Sequence, residues 1–241
     1  MRGASAISLQ YLGPSDSMSH HRIIVGRILS ALLALTGCIP YTVGSTAQTV
    51  PVGEQVRTTT AGFVIGGGSD LRDSIGGARS TNVPLSDVEV RWGLTDHSDL
   101  GIRVPGASGL VLNYKARHQG SAHPDSAGFA TLIGGGVVNW AQHAFLEGAL
   151  IWSGARTGST VRYGGFKAMH TLPIAAGALT DTPTIGGFFG FRIGDGETTI
   201  SPELGVYYDR SATGIRTGSV VVIPAVTLRG ISFPQRIFGW F

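Results

Sequence analysis

The sequence predicts an all-β fold, an antiparallel up-and-down transmembrane β-barrel of about ten strands, with roughly 8 or 12 also accommodated because the ends of short strands are hard to read. Three observations carry that prediction. Beyond residue 58 the apolar residues recur with a period of two rather than 3.6. Glycine supplies 37 of the 241 residues, about twice ordinary usage, with no G-X-Y period that would make it collagenous. Charged residues are only 14% of the chain, against ~25% in an average soluble domain, while hydrophobic residues hold at 42%. A chain this poor in charge cannot cover a water-facing sheet with Lys and Glu.

The first element is a leader, residues 1–37. His20, His21, Arg22 and Arg27 precede the apolar run Ile28 to Leu35, and small residues follow, which is the layout of a secretory signal. Residues 1–17 have no place in such a signal, so translation is expected to start at Met18. The apolar run is shorter than the ~20 residues of a membrane-spanning helix. Cleavage near Ala47-Gln48 is the plain alternative to an earlier cut. Residues 38–57 follow, with Pro40, Gly44, Pro51 and Gly53 among Ser and Thr, and read as a flexible tether. The barrel is expected over 58–241. From Cys38 onward 15 Lys and Arg face 14 Asp and Glu, so the formal +3 belongs mostly to the leader and gives no sign of a nucleic-acid partner.

The strands are placed by alternation and by the turn signals between them. The first is expected at Thr59 to Ile65. In Val88-Glu89-Val90-Arg91-Trp92-Gly93-Leu94 the apolar residues share one face and Glu89, Arg91 and Gly93 the other. The turn signal Thr95 to Asp99 follows, and Leu100 to Val104 repeats the alternation, which makes a hairpin. Leu110, Leu112 and Tyr114 then alternate with Asn113, Lys115 and Arg117. Further strands are expected at Phe129 to Asn139, His143 to Ser153, Ser159 to Ala168, Thr184 to Ile193, Glu197 to Tyr208 and Ser219 to Leu228, separated by turn-rich pieces such as Gly154 to Gly158 and Gly194-Asp195-Gly196. The stretch Leu71 to Asn82 reads as a loop or a further strand. Ala168 to Asp181 has room for a short helical turn.

The polar face of these strands is thin in Lys and Glu, and the other face carries Trp92, Leu100, Ile102, Tyr114, Leu146, Trp152, Tyr163, Phe189, Phe191, Val206 and Tyr208. That is inverted relative to a soluble sandwich. It suits a closed sheet in lipid with its charges in the lumen. The lumen charges expected are Glu89, Arg91, Arg103, Lys115, Arg117, Glu147, Arg162, Arg192 and Glu203, either as a plug of ion pairs or as a small-solute path whose basic excess would favour anions.

The strand-turn-strand run Val88 to Arg103 resembles the repeat of bacterial outer-membrane β-barrel proteins, and Phe241 is similar to the C-terminal aromatic by which the barrel-assembly machinery recognises them. Pro234 departs from the clean final strand of that pattern, which points to Ser219 to Leu228 as the last strand with an aromatic tail after it. Leu35-Thr36-Gly37-Cys38 resembles the bacterial lipoprotein box, in which the cysteine becomes the lipidated first residue, and it accounts for the chain's one cysteine. The resemblance implies an outer-membrane location, outer-membrane lipid and the barrel-assembly and lipoprotein-processing machineries as partners, and a structural or small-solute-conduit role. The competing readings are a lipid-tethered soluble β domain that binds a ligand or partner, and an outer-membrane barrel hydrolase.

Chemistry beyond that is not expected. No nucleophile, base and orienting group stand together, since His97 sits in a turn between Asp96 and Asp99, and His123-Pro124-Asp125 reads as a loop. Gly66-Gly67-Gly68 and Gly134-Gly135-Gly136 lack the Lys-Ser/Thr ending of a P-loop and read as strand bends. No Cys pair or His-x-x-x-His suggests a metal, and no cofactor is expected.

Overall fold

The computed structural model describes residues 39–66, 83–106, 108–119, 126–175, 183–195, 198–209 and 219–230. Ten strands follow in order: β1 Gln55–Gly66, β2 Val83–Thr95, β3 Ser98–Pro105, β4 Leu110–Gln119, β5 Gly128–Val138, β6 His143–Ser153, β7 Thr160–Pro173, β8 Thr184–Ile193, β9 Thr199–Asp209 and β10 Ser219–Arg229. Each pairs antiparallel with its sequence neighbour, and β1 pairs with β10 to close the barrel, with Thr58 opposite Arg229 and Gly66 opposite Val221. Closure leaves no strand edge, so the backbone is satisfied without water. Every strand expected from the sequence is present. β10 is the closing strand, as Pro234 suggested, while Phe241 and Pro234 themselves lie outside the described residues, as do the leader, Cys38 and Leu71 to Asn82. Where a helical turn had room after Ala168, β7 continues as strand to Pro173.

The barrel has two rims. The terminal rim, where β1 begins and β10 ends, also carries the tight Asp96-His97 turn. The far rim joins the other strand ends, among them Pro105, Val138, Pro173 and Asp209.

The expected tether over 38–57 requires correction. Residues 55–57 already belong to β1, and Tyr41, Thr42, Val43, Thr46, Ala47, Gln48 and Val50 are buried inside the barrel. The physical reason is room. Side chains alone fill an eight-stranded barrel, and the wider lumen of ten strands takes in an extended segment as well. Two apolar layers pack around it. Tyr41 sits with Val64, Leu85, Val111, Val138, Phe145, Met169, Tyr207, Val221 and Ile223 toward the far rim, with Ile39 against them. Val43 and Ala47 pack with Ala130, Leu132, Ala149, Ile151, Tyr163 and Phe188. Gly44 is needed where it stands. Its φ is +59°, and a Cβ there would collide with the Thr227 hydroxyl.

Candidate functional site in the barrel lumen

Strand alternation sends odd-numbered residues of β2, β3, β4 and β6 into the lumen, which brings Asp87, Glu89, Arg91, Asp99, Arg103, Asn113, Lys115 and Glu147 together. Arg91 Nη1 lies 2.6 Å from Glu89 Oε1 and 2.5 Å from Asn113 Oδ1, and Arg91 Nε donates to Asp99 Oδ1 at 2.9 Å. Arg103 Nη2 is 3.5 Å from Glu89 Oε2 and its Nη1 3.8 Å from Glu147 Oε2. Lys167 Nζ is 2.8 Å from Glu147 Oε2, and Lys115 Nζ 3.5 Å from Asp99 Oδ2. Arg103 is 2% exposed and Lys115 1%, so these charges persist in the interior because each faces opposite charge. Glycine makes space for them. A Cβ at Gly101 would meet Asn113, Arg91 and Glu89, and one at Gly134 would meet Asn113 and Glu147.

Several of these groups, with Glu203 and Tyr207, also bond to the inserted segment, while Arg103 Nε and Glu147 Oε1 have no hydrogen-bond partner among the described residues. Lys167 donates to the carbonyls of Pro40 at 2.5 Å and Thr42 at 3.2 Å, and Arg103 to Thr42 O at 3.1 Å. Tyr207 Oη donates to Tyr41 O at 2.8 Å. Lys115 donates to Gln48 O at 2.6 Å, Ser45 Oγ at 2.9 Å and Thr46 O at 3.3 Å. Carboxylates take the amides. Glu203 accepts from Val43 N at 2.9 Å and Gly44 N at 2.8 Å as well as from Tyr163 Oη at 3.1 Å, and Asp99 accepts from Val50 N at 2.9 Å. Thr42 Oγ1 donates to Asp87 at 3.2 Å and Arg192 to Thr46 Oγ1 at 3.3 Å.

Of the expected lumen charges, Glu89, Arg91, Arg103, Lys115, Arg117, Glu147, Arg192 and Glu203 lie on the inner face. Arg162 does not. It is exposed on the outer face at the terminal end of β7, opposite Phe191, while its neighbour Tyr163, expected outside, is fully buried. The phase of β7 is therefore shifted by one residue from the expected one. Asp87, Asp99 and Lys167 were missed, and they matter to the charge balance. Among the described residues the interior holds Asp87, Glu89, Asp99, Glu147 and Glu203 against Arg91, Arg103, Lys115, Arg117, Lys167 and Arg192, so the basic excess that would favour anions shrinks to near parity.

The outer face is the reverse of the inner one. Phe166 is 70% exposed and Ile133 62%, and Phe63, Leu112, Leu146, Leu150, Ile185, Leu204 and Val220 continue the apolar surface around the barrel. Trp92, Phe129, Trp152 and Phe191 stand near the terminal rim, Trp152 and Phe191 both packing against Phe189 at 6.1 and 5.0 Å. Apolar outside, charged inside, closed, and edged with aromatics is the arrangement of barrels in an outer membrane. The described residues form a closed barrel whose apolar outer face suits a membrane crossed by strands. Water would not tolerate such an outer face on a tethered soluble domain. Arg162 near the aromatic edge fits the same setting, since an arginine there keeps its charge in the interface while its stem lies along the apolar wall.

The histidines are dispersed: His97 is exposed in the β2–β3 turn, His118 contacts Thr131 Oγ1 at 2.8 Å, and His143 is buried at the far rim. His123 lies outside the described residues.

No protein-family model matches the chain, and no curated protein matches it. Among solved structures, the chain is similar to the COG4313 outer membrane channel from Pseudomonas putida F1, with TM-score 0.47 and 7% identity over 76% of this chain and 97% of that one. It is also similar to Neisserial surface protein A (TM-score 0.35, 10% identity, 73% of this chain and 94% of that one). A third is OprG from Pseudomonas aeruginosa (TM-score 0.30, 10% identity, 77% and 96%).

Proposed function

We propose that the protein is a sealed outer-membrane barrel, structural in its resting form, whose lumen is closed by its own N-terminal segment. The observation that carries this reading is the set of bonds from Lys115, Lys167, Glu203 and Asp99 to the backbone of residues 40–50. These cations and anions would line a solute path in an empty barrel. Here they are engaged by the peptide, so a conduit requires the segment to leave. Lipid attachment at Cys38 belongs to the same proposal and rests on the Leu35 to Cys38 sequence next to the point where the chain enters the barrel.

Planar-bilayer conductance tests the reading. Purified full-length protein is expected to insert without steady channels. Gly44→Val is expected to conduct, because a side chain at φ +59° pressed against Thr227 cannot keep the segment seated. Steady channels from the unaltered protein would overturn the proposal.

A further inference from the structure

The bonds to the inserted segment run in sequence order along the barrel axis. Ile39 and Tyr41 sit in the apolar layer toward the far rim, beside Val138 and Tyr207 near the far ends of β5 and β9. Thr42, Val43 and Gly44 meet Arg103 and Glu203 at mid-height, and Thr46 and Gln48 meet Lys115. Val50 N reaches Asp99, the second residue of β3, and Thr49 Oγ1 donates to Asp96 O in the terminal-rim turn at 3.1 Å. Val52 bridges Gly93 near the end of β2, Glu54 N donates to Pro51 O at 3.0 Å, and β1 then sets off from that same rim toward the other. The segment and β1 thus form two antiparallel legs, one inside the barrel and one in its wall. Ten residue steps of extended chain reach at most about 33–36 Å, and a lipid-spanning band is about 25 Å tall, so residues 40–50 are long enough to cover that height.

The wall's hydrogen bonds to this segment go chiefly to its backbone. Carbonyls of Pro40, Tyr41, Thr42, Thr46 and Gln48 are taken by Lys, Arg and Tyr, and amides of Val43, Gly44 and Val50 by carboxylates. Such a lining suits a polypeptide, with Tyr41, Val43 and Ala47 fixed in addition by the apolar layers around them.

We infer that the barrel is a conduit for its own N-terminal segment. It carries the chain from one side of the membrane to the other and presents the residues ahead of Ile39 on the side opposite to that where β1 begins and β10 ends. This rests on the sealed-lumen reading above. It adds a direction, and with it a surface: the N-terminal end shares its side with the far-rim loops, including the exposed Trp140. A lipid on Cys38 would meet the leaflet at that rim.

The test uses the full-length chain with a short epitope inserted between Cys38 and Ile39. The same epitope placed after Trp140 reports the far rim, and placed after Ala155 it reports the terminal rim. Antibody binding is read on intact cells and after permeabilising the outer membrane. The Cys38–Ile39 epitope is expected to become accessible under the same condition as the Trp140 epitope. Accessibility together with the Ala155 epitope would overturn the inference, as would an epitope missing from the mature protein because cleavage fell after it. The outcomes are separable from those of the conductance test. A silent barrel with the epitope on the Ala155 side would mean a segment that doubles back, leaving the lumen sealed but the crossing refuted, whereas an open channel would refute the seal itself.

Discussion

Glu203 offers the sharpest test of how the segment is held. Its carboxylate accepts two backbone amides and the Tyr163 hydroxyl, all within 3.1 Å. In Glu203→Gln the carbonyl oxygen can replace Oε2, which serves Gly44 N and Tyr163 Oη, but the amide nitrogen then faces Val43 N donor to donor. One buried amide left without an acceptor costs about 1–3 kcal/mol, and changing two charge-assisted bonds to neutral ones costs about 1 kcal/mol each. Relief from burying a charge returns part of that. A net weakening of about 2–3 kcal/mol shifts the ratio of open to closed barrels by roughly 30- to 150-fold. The assay is bilayer open probability, scaled to Gly44→Val as fully open. Tyr163→Phe, which keeps the carboxylate and both backbone bonds, is expected to shift the ratio by no more than about tenfold. Folded Glu203→Gln protein as closed as the unaltered barrel would refute the claim that this carboxylate seats the segment.

Three other outcomes follow from the same geometry. Phe166→Arg places a charge midway along β7 on the apolar outer face and is expected to cost about 2–4 kcal/mol in lipid, read as a lower midpoint of the heat-dependent gel shift; a change below about 0.5 kcal/mol would mean that this face meets water. Arg103→Glu would crowd Glu89 and Glu147 with a third acid and remove the donor to Thr42 O, a loss of at least about 3–5 kcal/mol, checked by the same gel shift or by failure to assemble. Cys38→Ser is expected to abolish incorporation of labelled fatty acid while leaving the gel shift in place, and retained label would remove Cys38 as the lipidation site.

The wall of this barrel was readable in the sequence because lipid and lumen impose opposite chemistry on alternate residues. Val88 to Leu94 and Leu100 to Val104 state that rule plainly, and Glu89, Arg91 and Arg103 fall inside as it requires. The rule fails where the alternation is blurred. In β7 the pair Gly164-Gly165 interrupts it, and Arg162 and Tyr163 are both amphipathic, so either could face either way and the expected phase came out one residue off. Asp99 was read as part of a turn because Thr95 to Asp99 has turn composition, yet the turn proper is only Asp96-His97, and Asp99 already points inward. The inserted segment had no local signature at all. Pro40, Gly44, Pro51 and Gly53 among Ser and Thr look the same in a solvated tether as in a peptide held by its backbone, since backbone carbonyls and amides do not vary with sequence. What fixes it in place comes from residues 45 to 166 positions away, Lys115, Lys167 and Glu203 among them, and only closure of the barrel brings those together.

Hydrogen exchange on the full-length protein, folded in detergent micelles, tests the central claim most directly. The amides of Val43, Gly44 and Val50 donate to the buried carboxylates of Glu203 and Asp99, and they are expected to exchange as slowly as strand amides of the wall such as those of β6. Exchange of these three amides at the rate of an unstructured chain, with the wall still protected, would contradict the account.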